Sequence, residues 1–194
     1  RHRASSPRIL LLPGSRTEEV RRHWPVLLAT LELLRREFPS LQARTLLPDE
    51  ALATLARGIG APAGLEIRVG EVLPALLETD LAITKSGTVT LECAVAGVPA
   101  LVFYKTSWPN YLLAKRVVRV KHLAMPNLLA GETLYPEFVQ DAATPENLAR
   151  AAVELLRDEA RRRALKARLA NVVASLGPPG ATQRAARAIL NLLP

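Results

Sequence analysis

"ITKSGTVTLECAVAGVPALVFYK", residues 83–105, decides how the chain is read. An apolar strand pattern ends on Lys85-Ser86-Gly87-Thr88, a helical pattern starts at once, and a second apolar run follows through Tyr104. Strand, helix and strand in so short a span is the repeating unit of a parallel sheet. The same alternation extends in both directions. "RILLLP" (8–13) precedes a periodic segment from Glu18 to about Phe38, and "LQARTLLP" (41–48) precedes "DEALATLARG". "LEIRVG" (65–70) precedes "EVLPALLE", "DLAIT" (80–84) precedes "GTVTLECAVAG", and "PALVFY" (99–104) precedes "SWPNYLLAKRVVRV". At least five repeats of strand then helix predict an α/β fold, a Rossmann-like parallel sheet flanked by helices. After Pro136 the strand patterns stop, and helices are expected at about 145–156, 158–175 and 181–192.

Local signals mark the boundaries. Ser15 stands three residues before Glu18, the spacing of a capping box, and Thr144-Pro145 sets a cap before a favoured first-turn proline. Gly58 and Gly97 follow helical segments, where a left-handed residue often closes the helix.

In open α/β sheets ligands bind beyond the carboxyl ends of the strands. Three turns at that edge have unusual composition: Pro13-Gly14-Ser15-Arg16, Gly70-Glu71 and Lys85-Ser86-Gly87-Thr88. Small residues let backbone approach a ligand, and N–H groups at a helix start favour an anion such as phosphate. Arg16 and Lys85 strengthen that reading. Neither G-x-G-x-x-G nor the P-loop pattern occurs, which removes support for the usual dinucleotide and ATPase sites. Glu92 lies one helical turn beyond Thr88 on the same face, within reach of a ligand at that helix start. A carboxylate there suits the vicinal hydroxyls of a ribose; its alternative is a favourable charge in a first helical turn.

The composition sets further bounds. The chain has 194 residues, 49% of them hydrophobic, enough to bury a real core. No run reaches 18 uninterrupted apolar residues, so no membrane span is expected. Cys93 is the only cysteine, which fits a reducing compartment and reads as a small buried hydrophobe. Met125 is the only methionine and the chain opens "RHRASSP", so residues 1–7 read as a linker remnant of a longer protein and residues 8–194 as the domain. Of the net charge of +8, most falls after residue 160, where Arg161, Arg162, Arg163, Lys166, Arg168, Arg184 and Arg187 meet no acidic residue. Lys115, Arg116, Arg119 and Lys121 form a second cluster. Such clusters suit an anionic partner or a solvated helix face. "SWPNYLLAKRVVRVKH" reads as an amphipathic helix with Trp108, Tyr111 and Leu112 beside a basic end, a composition suited to a membrane interface or to core packing.

"LLPGSRTEEV", "KSGTVTLECAVAGVPALVFYK" and "LLAKRVVRVKHLAMPNLLAGETLYPEFVQ" together resemble the carboxyl-terminal half of the lipid-A-disaccharide synthase family, inverting glycosyltransferases of the GT-B type. The resemblance runs from about Arg8 to Leu192. It implies a Rossmann-like domain that binds the donor UDP-2,3-diacylglucosamine, with the acceptor, 2,3-diacylglucosamine 1-phosphate, held by an amino-terminal domain. It further implies that Gly14, Ser15 and Arg16, with Ser86, Gly87 and Thr88, face the diphosphate, that Glu92 holds the ribose, and that Asn127 lies at the donor site. Pro136-Glu137 and Gln140 match the pattern without an assigned role. Lys85 stands where the family more often has a small residue. The family's candidate general base belongs to the amino-terminal half, so this half is expected to bind UDP without catalysing. No cofactor or metal is expected, since no Asp-x-Asp pair occurs. The implied location is cytoplasmic, peripheral to the inner membrane of a Gram-negative-type bacterium and against its anionic surface, and a homodimer is left open.

Two rival readings remain at this point. The domain could serve another GT-B UDP-sugar enzyme, of the lipid II transferase or UDP-N-acetylglucosamine epimerase type. A basic nucleic-acid-binding module is the other, but no aromatic residue falls within 161–194, so stacking platforms are missing there.

Overall fold

The computed structural model describes residues 6–109, 111, 120–178 and 180–191. Six parallel strands form one sheet in the order β3-β2-β1-β4-β5-β6. They are β1 (Arg8–Leu12), β2 (Gln42–Leu47), β3 (Leu65–Val69), β4 (Leu81–Lys85), β5 (Ala100–Tyr104) and β6 (Glu137–Val139). The chain winds outward from β1 through β2 to β3, then returns to lay β4 along the other side of β1. That reversal places a topological switch point between β1 and β4, where the turns after two neighbouring strands diverge to opposite faces.

Central strands are apolar along most of their length because both of their faces are covered. In β1 the side chains alternate between two cores. Ile9 and Leu11 join Trp24, Leu27, Leu31 and Leu34 of α1 (Thr17–Glu37), with Leu148 and Leu155 of a later helix. Leu10 and Leu12 join Cys93, Tyr135 and Leu169 on the opposite face. Helix α2 (Glu50–Ile59) packs beside α1, fixed by Trp24 Nε1–H, which donates to the carbonyls of Ala56 and Gly60 at 2.9 Å each. The short helices α3 (Val72–Leu77), α4 (Val89–Val95) and α5 (Met125–Ala130) follow. A 3-10 turn (Gln140–Ala142) precedes the helices α6 (Pro145–Arg157), α7 (Glu159–Ser175) and α8 (Ala181–Leu190). Helix α8 has no buried residue. No helix among the described residues is long and apolar enough to cross a membrane.

Three expectations need correction. The strands do not stop at Pro136: β6 pairs with β5 from Val102↔Glu137 to Tyr104↔Val139. Three half-buried residues at a sheet edge are too short a run for an alternating pattern to announce. The capping box at Ser15 does not form. Helix α1 starts one residue later behind Arg16, and Ser15 N–H donates instead to the Glu19 carboxylate at 2.9 Å. Gly58 lies inside α2, and Gly60 closes that helix. The other boundaries stand as read. Thr144 Oγ1 accepts from Asn147 N–H at 3.2 Å, and Gly97, at φ 64°, follows α4 in the left-handed region. The linker reading of residues 1–7 and the amphipathic and basic segment at 107–122 fall largely on residues outside those described.

Candidate functional site

The turns singled out in the sequence meet at the switch point. A cavity of about 200 Å³ is bounded by Leu12, Gly14 and Ser15 after β1, by Leu46 to Pro48 after β2, and by Gly70 and Val72 after β3. Lys85, Thr88, Val89 and Glu92 close it from β4 and α4. Its lining combines apolar side chains, Leu12, Leu46, Leu47, Pro48, Val72 and Val89, with the Thr88 hydroxyl and the Glu92 carboxylate one helical turn apart. Such a lining suits a ligand with an apolar part and hydrogen-bonding groups.

Four predicted site residues therefore come together: Gly14, Ser15, Thr88 and Glu92. Others are placed differently. Arg16 borders the adjoining clefts rather than this cavity, with its side chain 81% exposed and its guanidinium 3.7 Å from Glu19. Ser86 has spent both donors, its N–H on Phe103 O at 2.9 Å and its hydroxyl on Leu123 O at 3.0 Å. Its role is to tie the β4 turn to β5 and to the segment before α5. Gly87 lies under the folded-back Lys85 side chain, whose Nζ would be 3.2 Å from any Cβ added there.

Asn127 is buried in the interior. Its Nδ2 donates to Tyr135 O at 2.7 Å and to Glu137 Oε1 at 2.8 Å, while its Oδ1 accepts from Leu134 N–H and Tyr135 N–H at 2.9 and 2.8 Å. Both ends of the amide are fully used in holding residues 134–137 against α5. Glu137 does related work: its carboxylate accepts from the N–H groups of Leu123 and Ala124 at the start of α5. Gln140, at φ 51°, pairs through its side-chain amide with both backbone groups of Thr106. The asparagine, glutamate and glutamine of the quoted motif thus brace the loop that follows β5.

Two contributors were missed by the sequence reading. Glu19 bonds Lys85 Nζ at 3.0 Å, and the pair is largely buried, at 14% and 18% exposure. Burial opposes the charge on Glu19, but the Lys85 hydrogen bond, the Ser15 N–H and the charges of Lys85 and Arg16 hold its pKa below the ordinary carboxylate value. His23, fully buried one turn further along α1, links the turns after β1 and β5. Its Nδ1 lies 2.7 Å from Pro13 O, and its Nε2 lies 3.0 Å from Lys105 O and 3.3 Å from Lys105 N. Burial lowers its pKa despite the neighbouring carbonyls, which favours the neutral ring. Only spacing across the sheet reveals either residue. Cys93 is buried as expected, and burial pushes its thiol up to about 12, leaving it unreactive in the folded chain.

Residues 3–190 match the family model described as lipid-A-disaccharide synthetase. The chain belongs to that family. It is 38% identical over 193 residues to the lipid-A-disaccharide synthase of Anaeromyxobacter sp. (strain K), covering 98% of this chain and 50% of that protein. It is 41% identical to the same enzyme of Alkalilimnicola ehrlichii, covering 95% and 49%. The chain thus spans about half the length of the curated synthases it matches. Among solved structures, the spinosyn rhamnosyltransferase SpnG superimposes with a TM-score of 0.64 at 19% identity, over 95% of this chain and 46% of that one. WaaG, a glycosyltransferase involved in lipopolysaccharide biosynthesis, gives a TM-score of 0.52 at 18% identity, over 85% and 42%. These likenesses establish the fold as that of one domain of a GT-B glycosyltransferase. Residues 86–92, "SGTVTLE", span the β4 turn and the first turn of α4.

Proposed function

We propose that this chain is the donor-binding domain of a lipid-A-disaccharide synthase, holding UDP-2,3-diacylglucosamine while the diacylglucosaminyl group passes to 2,3-diacylglucosamine 1-phosphate in lipid A synthesis. The supporting observation is the cavity at the switch point, lined by apolar side chains together with Thr88 and Glu92. In this reading the uracil lies against Leu46, Pro48 and Val72, and Glu92 accepts hydrogen bonds from the ribose hydroxyls. The diphosphate leaves the cavity past Gly14, Ser15 and Thr88, with Arg16 at the rim. As the anomeric bond breaks, negative charge grows on the departing UDP, and cations and N–H groups already aimed at that position stabilise it. The acceptor hydroxyl needs a general base. By this reading the base lies on the amino-terminal domain present in the longer relatives, and residues 8–194 alone bind without turning over. Asn127 serves the site indirectly, by bracing α5 and the segment that Ser86 anchors.

Calorimetric titration with UDP and uridine tests the proposal. UDP should bind more tightly than uridine. Glu92→Ala should weaken both ligands, since both carry the ribose. Arg16→Ala should weaken UDP alone, by about 1 kcal/mol because a largely solvated guanidinium is well screened. Absence of UDP binding removes the donor reading, and equal weakening of both ligands by Arg16→Ala removes that residue from the phosphates.

Acylated substrates bring such a domain to a membrane surface, and the chain carries features suited to an anionic one. Trp108 is 55% exposed and packs edge-on against Tyr111, while Arg161, Lys166 and Arg187 lie on exposed stretches of α7 and α8. Vesicles containing anionic lipid should retain the chain at low salt and release it as salt rises, whereas neutral vesicles should not retain it. Equal retention by both kinds of vesicle would remove the electrostatic contact.

A further inference from the structure

Two clefts open at the carboxyl edge of the sheet, and the Lys85–Glu19 ion pair stands between them. Lys85 lines the first cavity, beside Gly14, Ser15 and Thr88. The second, about 340 Å³, lies between the start of α1 and the loop after β5, and Arg16, Glu19, Arg22, Lys105 and Thr106 border it. Lys85 faces one cleft and Glu19 the other, and they bond each other at 3.0 Å.

The surroundings of the Glu19 carboxylate are those of a bound anion. One oxygen meets the Lys85 ammonium, with the Arg16 guanidinium 3.7 Å away, and the other accepts the Ser15 N–H at 2.9 Å. An ammonium, a guanidinium and a backbone N–H converge on one point, and a side chain of the protein itself fills it. The Lys85 chain reaches that point by folding back over Gly87, so its charge stays at the turn instead of extending into solvent.

We propose that Lys85 is the cation that meets the phosphates of a nucleoside diphosphate sugar, and that Glu19 is an internal counter-ion which those phosphates displace. The inference rests on the donor-binding reading. A ligand with its nucleoside in the first cavity and its sugar in the second must carry its diphosphate across the pair. A phosphate brings more charge and more acceptor oxygens than a carboxylate, so it can take both the ammonium and the Ser15 N–H. Glu19 then turns toward Arg16 within the second cleft. Between ligands the exchange runs backward, Glu19 neutralises Lys85 again, and the returning carboxylate helps the diphosphate to leave.

A purely structural tie between α1 and the β4 turn predicts the opposite response to Glu19→Gln, so the two can be separated. The chain and its variants are titrated with UDP and with uridine, and the thermal unfolding of each variant is recorded. Lys85→Met should lower UDP affinity about tenfold, and Glu19→Gln, which keeps an oxygen for Ser15, should raise it about three- to tenfold. Uridine affinity should change less than about twofold in both, because neither residue meets the nucleoside. The gain from Glu19→Gln should shrink in the double variant with Lys85→Met. Lys85→Arg, which keeps the charge, should retain UDP binding and serves if Lys85→Met does not fold. If UDP binds the unaltered chain but Glu19→Gln binds it no better or more weakly, the counter-ion assignment falls while the donor reading stands. If the unaltered chain binds neither ligand, both fall.

Discussion

Asn127→Ala is expected to lower the unfolding free energy by about 3–5 kcal/mol, because one truncation strands several buried polar groups at once. The N–H groups of Leu134 and Tyr135 lose their acceptor, Tyr135 O loses a donor, and Glu137 loses one of its partners. The groups of Leu134 and Tyr135 gain no water in exchange, since Asn127, Leu134 and Tyr135 are all buried. The midpoint of urea unfolding should fall while its slope stays constant, the sign of lost stability rather than an altered unfolded state. Asn127→Asp should be no milder: it keeps the acceptor but sets a second carboxylate 2.8 Å from Glu137, where a donor now sits. Under conditions where the alanine variant stays folded, its affinity for UDP should remain within about twofold of the original, because the side chain bonds only to protein. A large loss of affinity with little loss of stability would mean that Asn127 meets the ligand directly, as the family resemblance alone suggested.

That contrast shows where sequence reading stops. Asparagine in a motif of this kind reads as a residue of the donor site, and nothing near it in the chain indicates that its partners lie seven to ten residues ahead. The same holds for Ser86, whose hydroxyl bonds Leu123 O across 37 positions, and for Glu19, which meets Lys85 across 66. Strands β1, β4 and β5 were legible because burial on both faces demands continuous apolar runs, and β3, at the sheet edge, because Leu65, Ile67 and Val69 alternate with charged residues; both demands are local. Strand β6 was not, because three half-buried residues at an edge satisfy no pattern. The position of the cavity followed from topology, since parallel order with one reversal leaves a crevice at the switch point. Which cation faces that crevice was a question of rotamers. The sequence reading favoured Arg16 and left Lys85 undecided; the structure folds Lys85 inward and leaves Arg16 at the rim.

The first glycine of the β1 turn should be as sensitive as Asn127, for a different reason. Gly14 has φ 131°, outside the range that residues with a Cβ adopt, so alanine there costs about 1–3 kcal/mol in backbone strain alone. A Cβ at Gly14 would also lie 2.3 Å from Glu19 Oε2 and 2.8 Å from its Cβ. The carboxylate could move aside only by giving up Ser15 N–H and Lys85, and the start of α1 would have to shift to relieve the Cβ contact. Forcing such an overlap adds about 1–3 kcal/mol, for a total near 2–5 kcal/mol in Gly14→Ala. A double-mutant cycle separates the two parts. In a Glu19→Ala background the carboxylate is gone although its Cβ remains, so the cost of Gly14→Ala should shrink toward the backbone share without vanishing. UDP affinity should also fall in Gly14→Ala, because the turn it closes borders the cavity beside Ser15 and Lys85. An identical cost in both backgrounds would mean that Glu19 does not press on the turn, and that glycine is required there for its backbone conformation alone.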